Sequence, residues 1–249
     1  MKKTIMEKIL VLLATFLCII TGFAQNHTDS MHAGQPRTLA SDDSARFDSL
    51  LTLALSGDCD AQVEVARCYE FGEGVGADRD SAESWYLRAA NANYAPAQWS
   101  LAWFYYQNDN KKMVQWLQKA SDNGWDFAIT DLGTCYYDGI GVKRDYQKAA
   151  ELFARSAPSD PEAQFLLSAC YYKGHGVSKD IPQSMRLLQA ASPYNNEANY
   201  MLAWFLHQGK HLTKDDRRAN ELLQIIINDK NALPGEIQKA KRLLRKLDL

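Results

Sequence analysis

One feature of the chain constrains its fold more than any other, and it is a period. Ala61, Ala97, Ala128, Ala163 and Ala198 open five similar segments at spacings of 36, 31, 35 and 35 residues. Four residues after each comes an aliphatic: Val65, Leu101, Leu132, Leu167, Leu202. Five after comes a small residue (Ala66, Ala102, Gly133, Ser168, Ala203), and eight after a large one (Tyr69, Tyr105, Tyr136, Tyr171, Leu206). These offsets share one stripe of a helix, so each segment opens with an amphipathic helix. The small residue lets a neighbouring helix come close. A unit of this size cannot bury its apolar face alone, and stacking on its neighbours is the solution.

The stretch after the first helix also recurs. Turns read Gly72-Glu73-Gly74-Val75, Gly139-Ile140-Gly141-Val142 and Gly174-His175-Gly176-Val177. Glycine supplies the positive φ that a tight helix-ending turn needs. Phosphate loops also use Gly-x-Gly, but no strand precedes these and no Lys-Ser/Thr follows them. An aspartate then stands four residues before a small residue: Asp78 before Ala82, Asp145 before Ala149, Asp180 before Ser184, Asp215 before Ala219. There it can accept hydrogen bonds from the free amides that open a second helix. That helix carries a large apolar residue three beyond the small one (Trp85, Leu152, Leu187, Leu222) and closes on pairs such as Ala89-Ala90 and Ala190-Ala191.

Three elements together resemble the Sel1-like repeat, a relative of the tetratricopeptide repeat. They are the Leu-Gly-x-x-Tyr of Leu132, Gly133 and Tyr136, the Gly-x-Gly-Val turns, and the Asp-x-x-Lys-Ala of Asp145, Lys148 and Ala149. The resemblance covers about residues 61–227. It implies an all-α, right-handed α/α solenoid of about five helix-turn-helix repeats, near 61–96, 97–127, 128–162, 163–197 and 198–230. Repeat two departs, since Gln107 to Lys112 holds no Gly-x-Gly and the repeat is about five residues short. Repeat five keeps Gly209 but has His211 in place of the second glycine. Turns of a different shape are expected in both.

The ends complete the plan. Residues 1–24 read as an export signal: Lys2, Lys3 and Lys8, an uncharged apolar run from Ile9 to Ile20, then Gly22 and Ala24 before Gln25. The run is 12 residues long, against the roughly 20 that span a bilayer, so no stable membrane span is expected after cleavage. Leu17 before Cys18 argues against a lipoprotein. A polar linker is expected over 25–44, with His27 and His32 solvated, and the repeat body over 45–249. Phe47, Leu50, Leu51 and Leu55 form the apolar side of an N-terminal half-unit. Ile237, Ala240, Leu244 and Leu247 do the same for a C-terminal cap over 234–249, whose Lys239, Lys241, Arg242, Arg245 and Lys246 lie off that face. These cations fit a solvated outer surface near a helix C-terminus; a basic patch for an acidic partner is the alternative.

Net charge bears on partners. The formal charge is −2, and loss of three lysines and one glutamate with the signal takes it to −4. Broad nucleic-acid binding needs the opposite sign. Sel1-like and tetratricopeptide proteins mostly act as adaptors and scaffolds, so the resemblance implies a protein or peptide partner and no cofactor. In the tetratricopeptide arrangement the inner surface is lined by the first helices at offsets 2, 6 and 9. Carried over, this gives Trp99, Trp103 and Tyr106 in repeat two, Tyr137 in repeat three, Phe165 and Tyr172 in repeat four, and Tyr200 and Trp204 in repeat five. One ring of each Tyr-Tyr pair (105-106, 136-137, 171-172) then points inward and one into the groove. Packing of helix on helix is the competing use for all of these rings.

Cysteines and enzyme motifs narrow the field further. Cys68, Cys135 and Cys170 all fall at offset 7. Equivalent positions on stacked helices stand about 8–10 Å apart, beyond the ~7 Å between α-carbons that a disulfide spans, so buried thiols are expected. Cys59 with Cys68 stays open as a pair. There is no His-Glu-x-x-His, phosphate loop or Gly-x-Ser-x-Gly. His207 and His211 have a metal-compatible spacing, but His211 follows the helix-ending Gly209 and no third ligand is evident. A non-enzymatic, exported scaffold that grips a polypeptide is the expectation, with a secreted hydrolase or a passive envelope component as the alternatives.

Overall fold

Three offsets, 0, 4 and 7, turn out to be the deep core of each first helix. The starting alanines and the offset-4 aliphatics are at most 5% exposed, and so are Cys68, Phe104, Cys135, Cys170 and Phe205 at offset 7. Offset 8, expected as the main aromatic core position, is half-buried at Tyr69, Tyr136, Tyr171 and Leu206, and fully buried only at Tyr105. At about 100° per residue, offset 7 lies 20° from the starting alanine and offset 8 lies 80° from it, at the edge of the stripe.

The computed structural model describes residues 41–247, so the export signal and most of the linker expected before them lie outside the described residues. Within that range there are twelve α-helices, one 3₁₀ turn (Ser192–Tyr194) and no strand. They are α1 Ser41–Leu55, α2 Cys59–Phe71, α3 Arg79–Asn91, α4 Ala95–Tyr105, α5 Asn110–Asp122 and α6 Asp126–Asp138. Then follow α7 Tyr146–Ser156, α8 Pro161–Lys173, α9 Ile181–Ala191, α10 Asn196–Gln208, α11 Asp216–Asn228 and α12 Pro234–Leu244. The chain divides into two bodies, the first ending at Ala82 and the second running from Glu83. In the first, α1 packs on α2. In the second, α4–α5, α6–α7, α8–α9 and α10–α11 are the helix pairs, each pair packs on the next, and α12 closes the stack on α11 and α10. This is the α/α solenoid the period predicts.

Helix starts follow the aspartates. Asp109, Asp145, Asp180 and Asp215 accept from the amides of Lys112, Lys148, Gln183 and Arg218 at 2.8–3.0 Å, and Asp78 accepts from Asp80 and Ser81. First helices are capped too, by Asp58, Asp160 and Asn195. The deepest position of the second helix lies four residues beyond the small one, at Tyr86, Phe153, Leu188 and Leu223, each at most 2% exposed. Ala191 is buried, whereas Ala190 beside it is exposed.

The two glycines of each turn do different jobs. Gly139 ends α6 at φ 78°, ψ 34°, and both Gly139 N and Ile140 N donate to Cys135 O. Gly72 and Gly174 repeat this geometry. The second glycine lies against backbone: a Cβ on Gly141 would stand 2.1 Å from Asn110 O, and one on Gly176 1.9 Å from Tyr146 O. It is the point where one repeat's turn rests on the start of the second helix in the repeat before. Repeat five corrects the expectation of a different turn. His211 adopts the same left-handed backbone (φ 65°), and Asp215 N reaches Leu206 O at 3.1 Å as Asp180 N reaches Tyr171 O at 3.0 Å. Repeat two does differ, with a short turn through Gln107 at φ 65°.

A side-chain amide ties repeats together and escaped the sequence reading. Gln62, Gln98 and Gln164, each at offset 1, donate to the carbonyls of Ala54, Ala90 and Ala157 at the end of the preceding helix. Carbonyls in a last helical turn lack an intrahelical donor, and the amide supplies one. At the ends, Phe47 and Ala54 are the buried residues of α1 while Leu55 is exposed, and α12 buries Ala240 and Leu243.

Candidate functional site

In repeat two the residues at offsets 2, 6 and 9 lie side by side, and their ring cluster continues onto the next repeat. Trp99 and Trp103 are one helical turn apart on α4, with Tyr106 just past its end. Ring centroids run Tyr106–Trp103 5.4 Å, Trp103–Trp99 6.5 Å, Trp99–Phe127 6.2 Å and Phe127–Trp125 5.8 Å. Five rings thus form one unbroken strip from α4 onto the start of α6. All but Phe127 are partly buried, and Phe127 is 54% exposed. More than half of the Phe127 surface therefore faces solvent.

A buried acid holds the two indoles. Trp99 Nε1 and Trp103 Nε1 both donate to Asp131 Oδ2, at 2.6 and 3.0 Å, and Asp131 is 4% exposed. An indole N–H can only donate, so one carboxylate oxygen from the next repeat sets both ring orientations. The Trp125 Nε1 is buried without a hydrogen-bond partner. Next along the stack, Thr130 donates to Asp160 at 2.5 Å while its oxygen lies 2.9 Å from the Ser156 hydroxyl, and Asn195 donates to Glu162. Burial, with Asp160 close by, pushes the Glu162 carboxyl up to about 8. Lys239 on α12 meets Glu197 at 3.2 Å.

The other expected residues divide. Tyr200 and Trp204 remain partly exposed on α10, and burial raises the Tyr200 phenol. Phe165 departs from the expectation: at 2% exposed it is core, because α8 has a buried ring at offset 2 where α4 and α10 have half-open ones. Tyr137 also departs. Its ring lies 5.0 Å from Tyr146 and 6.4 Å from Phe153, and its hydroxyl is 2.9 Å from His175 Nδ1. Tyr136 and Tyr137 both pack on one core cluster, so this Tyr-Tyr pair does not split between core and groove. Tyr172 does similar work between repeats four and five, against Phe205 and His211. A ring near the end of a first helix can turn towards the next repeat's turn, and offset alone does not decide which way it goes.

Phe127, Trp125 and Asp131 are the site residues the sequence reading missed. A signal existed for the first, since Phe127, Glu162 and Glu197 stand 35 residues apart at one register. The histidines do not pair: His207 Nδ1 lies 2.7 Å from Asp216 Oδ1, whose other oxygen, Oδ2, meets Lys214 at 3.2 Å, while His211 sits against Tyr172 and Phe205. Among the described residues no group of three or more His, Cys, Asp or Glu could hold a metal ion. Cys59, Cys68, Cys135 and Cys170 are free thiols, and burial raises the last three. No helix among the described residues is long and apolar enough to cross a membrane.

Comparison with known proteins agrees with this geometry. The family model of the Sel1 repeat matches residues 59–94, 95–125, 127–157, 161–192 and 196–228, each match opening one or two residues before the starting alanine. Among solved structures, a Sel1 repeat protein from Oxalobacter formigenes is 27% identical over 77% of this chain and 79% of that one, with a TM-score of 0.68. A protective antigen of uropathogenic Escherichia coli with an SLR fold is 25% identical over 80% of this chain, with a TM-score of 0.64; the match spans 49% of the antigen's own length. An immunity protein from Pseudomonas aeruginosa shares the fold at 17% identity, covering 86% of each chain, with a TM-score of 0.52. No curated protein matches.

Proposed function

Since the chain belongs to the Sel1 repeat family, whose members generally mediate protein–protein interaction, we propose that it is an exported, non-enzymatic scaffold that binds a polypeptide on the inner face of its repeats. The observation that carries this reading is the ring strip from Tyr106 to Trp125, in which Phe127 is left 54% exposed. Partner surfaces favour Trp and Tyr, which join large contact area to a polar handle. Each such ring can bury roughly 150–250 Å². Trp204 and Tyr200 extend the surface to repeat five. Export rests on the basic start, short apolar run and small residues of 1–24, and places the chain in the periplasm or outside the cell.

Affinity purification from the cell envelope fraction tests it. The wild-type chain is compared with Phe127→Ala and Trp204→Ala, both chosen because their side chains are not wholly inside the stack. The reading expects one or a few proteins to be lost from the variants while melting temperatures stay unchanged. Recovery of the same proteins by all three chains would overturn it.

A further inference from the structure

In repeats four and five the inner face carries carboxylates beside its rings. Phe127, Glu162 and Glu197 occupy the position just before the starting alanine in three successive repeats. At about 100° per residue that position falls on the same side of the first helix as offsets 2 and 6. Three further carboxylates, Asp160, Glu197 and Asp131, act on Glu162, and each disfavours its ionised form. Its hydrogen-bond donor there is the neutral amide of Asn195. Glu197 meets Lys239 through one oxygen, and its other oxygen, Oε2, is buried without a partner. Acids are thus packed together, Lys239 meets them at Glu197 alone, and aromatic rings, whose faces attract cations, stand at the near end.

We propose that this face takes an extended peptide segment bearing arginine or lysine, one cationic side chain lying on the rings of Phe127 and Trp99 and another pairing with Glu162 and Glu197. It rests on the inner-face reading above and adds the chemistry of the partner. Neighbouring helices pack about 8–10 Å apart, and an extended chain rises about 3.3 Å per residue. Phe127 and Glu162 stand one repeat apart on successive first helices, so cations at these two positions belong about three residues apart in the bound segment. A cation at Glu162 also returns its carboxyl to the ionised form, so binding at neutral pH releases a proton.

The test is selection of a random dodecapeptide display library on the full chain, followed by synthesis of the recovered peptides. The proposal expects selected peptides enriched in Arg and Lys at a spacing of about three. Replacing those arginines with citrulline, which keeps the shape and removes the charge, should weaken binding about tenfold or more, as should Glu162→Gln with Glu197→Gln. The citrulline arm needs no altered protein, so a misfolded variant cannot mask the answer. Neutral or acidic peptides whose capture needs Phe127 would overturn the cationic assignment and leave the inner-face reading standing. Basic peptides indifferent to both Gln substitutions would overturn it as well. If no recovered peptide depends on Phe127 or Trp204, both readings fall.

Discussion

Replacing each glycine of one turn separately should expose the two jobs they do. Gly174 has φ 78°, and a Cβ built there meets nothing closer than 3.4 Å. Gly174→Ala therefore costs only the left-handed backbone of an L-residue, about 1 kcal/mol. Gly176 has nearly the same φ, 72°, but its Cβ would stand 1.9 Å from Tyr146 O, 2.3 Å from Tyr146 C and 2.7 Å from Gln147 N. Those atoms are the backbone at the start of α7, which cannot rotate away as a side chain can. The turn must lift by more than 1 Å from the helix it rests on, which adds about 2–3 kcal/mol of overpacking. Gly176→Ala should thus lose about 3–4 kcal/mol. For a body of this size 1 kcal/mol moves the melting temperature by about 2–4 °C. Thermal melts followed by circular dichroism should show a drop of about 2–4 °C for Gly174→Ala and about 6–16 °C for Gly176→Ala. Hydrogen exchange should show α8 and α9 opening first in the latter. Equal losses for the two variants would refute the claim that the second glycine is kept by contact between repeats rather than by its own φ.

Three other outcomes are expected from the same structure. Asp131→Leu removes the acceptor shared by Trp99 and Trp103 and should cost about 2–3 kcal/mol with a shift in tryptophan fluorescence, whereas Asp131→Asn keeps an acceptor and should cost less; equal losses would count against the shared bond. Glu162 has a folded-state carboxyl near 8 against about 4.3 in an unfolded chain, so the folded form holds the extra proton between those values. Its contribution to stability is therefore greatest near the acid end of that window and is lost as pH rises through 8; melts from pH 5 to 9 should show a decline that Glu162→Gln flattens, and an unchanged slope would contradict the assignment. Alkylation of the native protein, read by mass spectrometry, should label Cys59 well before the buried Cys68, Cys135 and Cys170; simultaneous labelling would mean that the first helices open together.

Much of the architecture was written in single residue types. Ala128, Leu132 and Gly133 mark the core stripe because a helix returns to the same face after about 3.6 residues. Gly133 must stay small, since a Cβ there would stand 2.6 Å from the Phe153 ring. Asp145 and Gly139 mark a helix start and end because capping and positive φ are local chemistry. The candidate site was legible only in part. Trp99, Trp103 and Tyr106 share one helix side, so the period alone brought them together. Phe127 and Asp131 come from the next repeat, and no local rule places them against those indoles.

Local preference thus determined the helix pairs and the first, helix-ending glycine of each turn, since each depends on interactions within a few residues, whereas the second glycine answers to the preceding repeat's backbone. Tertiary packing decided the rest. Phe165 is sealed at 2% exposure while Trp99 and Tyr200, at the same offset, stay half-open. Tyr137 turns to the neighbouring His175, and His211 accepts a glycine's backbone to keep the repeat-five turn. The direction a ring takes depends on the space its neighbour repeat leaves, and that space is fixed by side chains some 35 residues away.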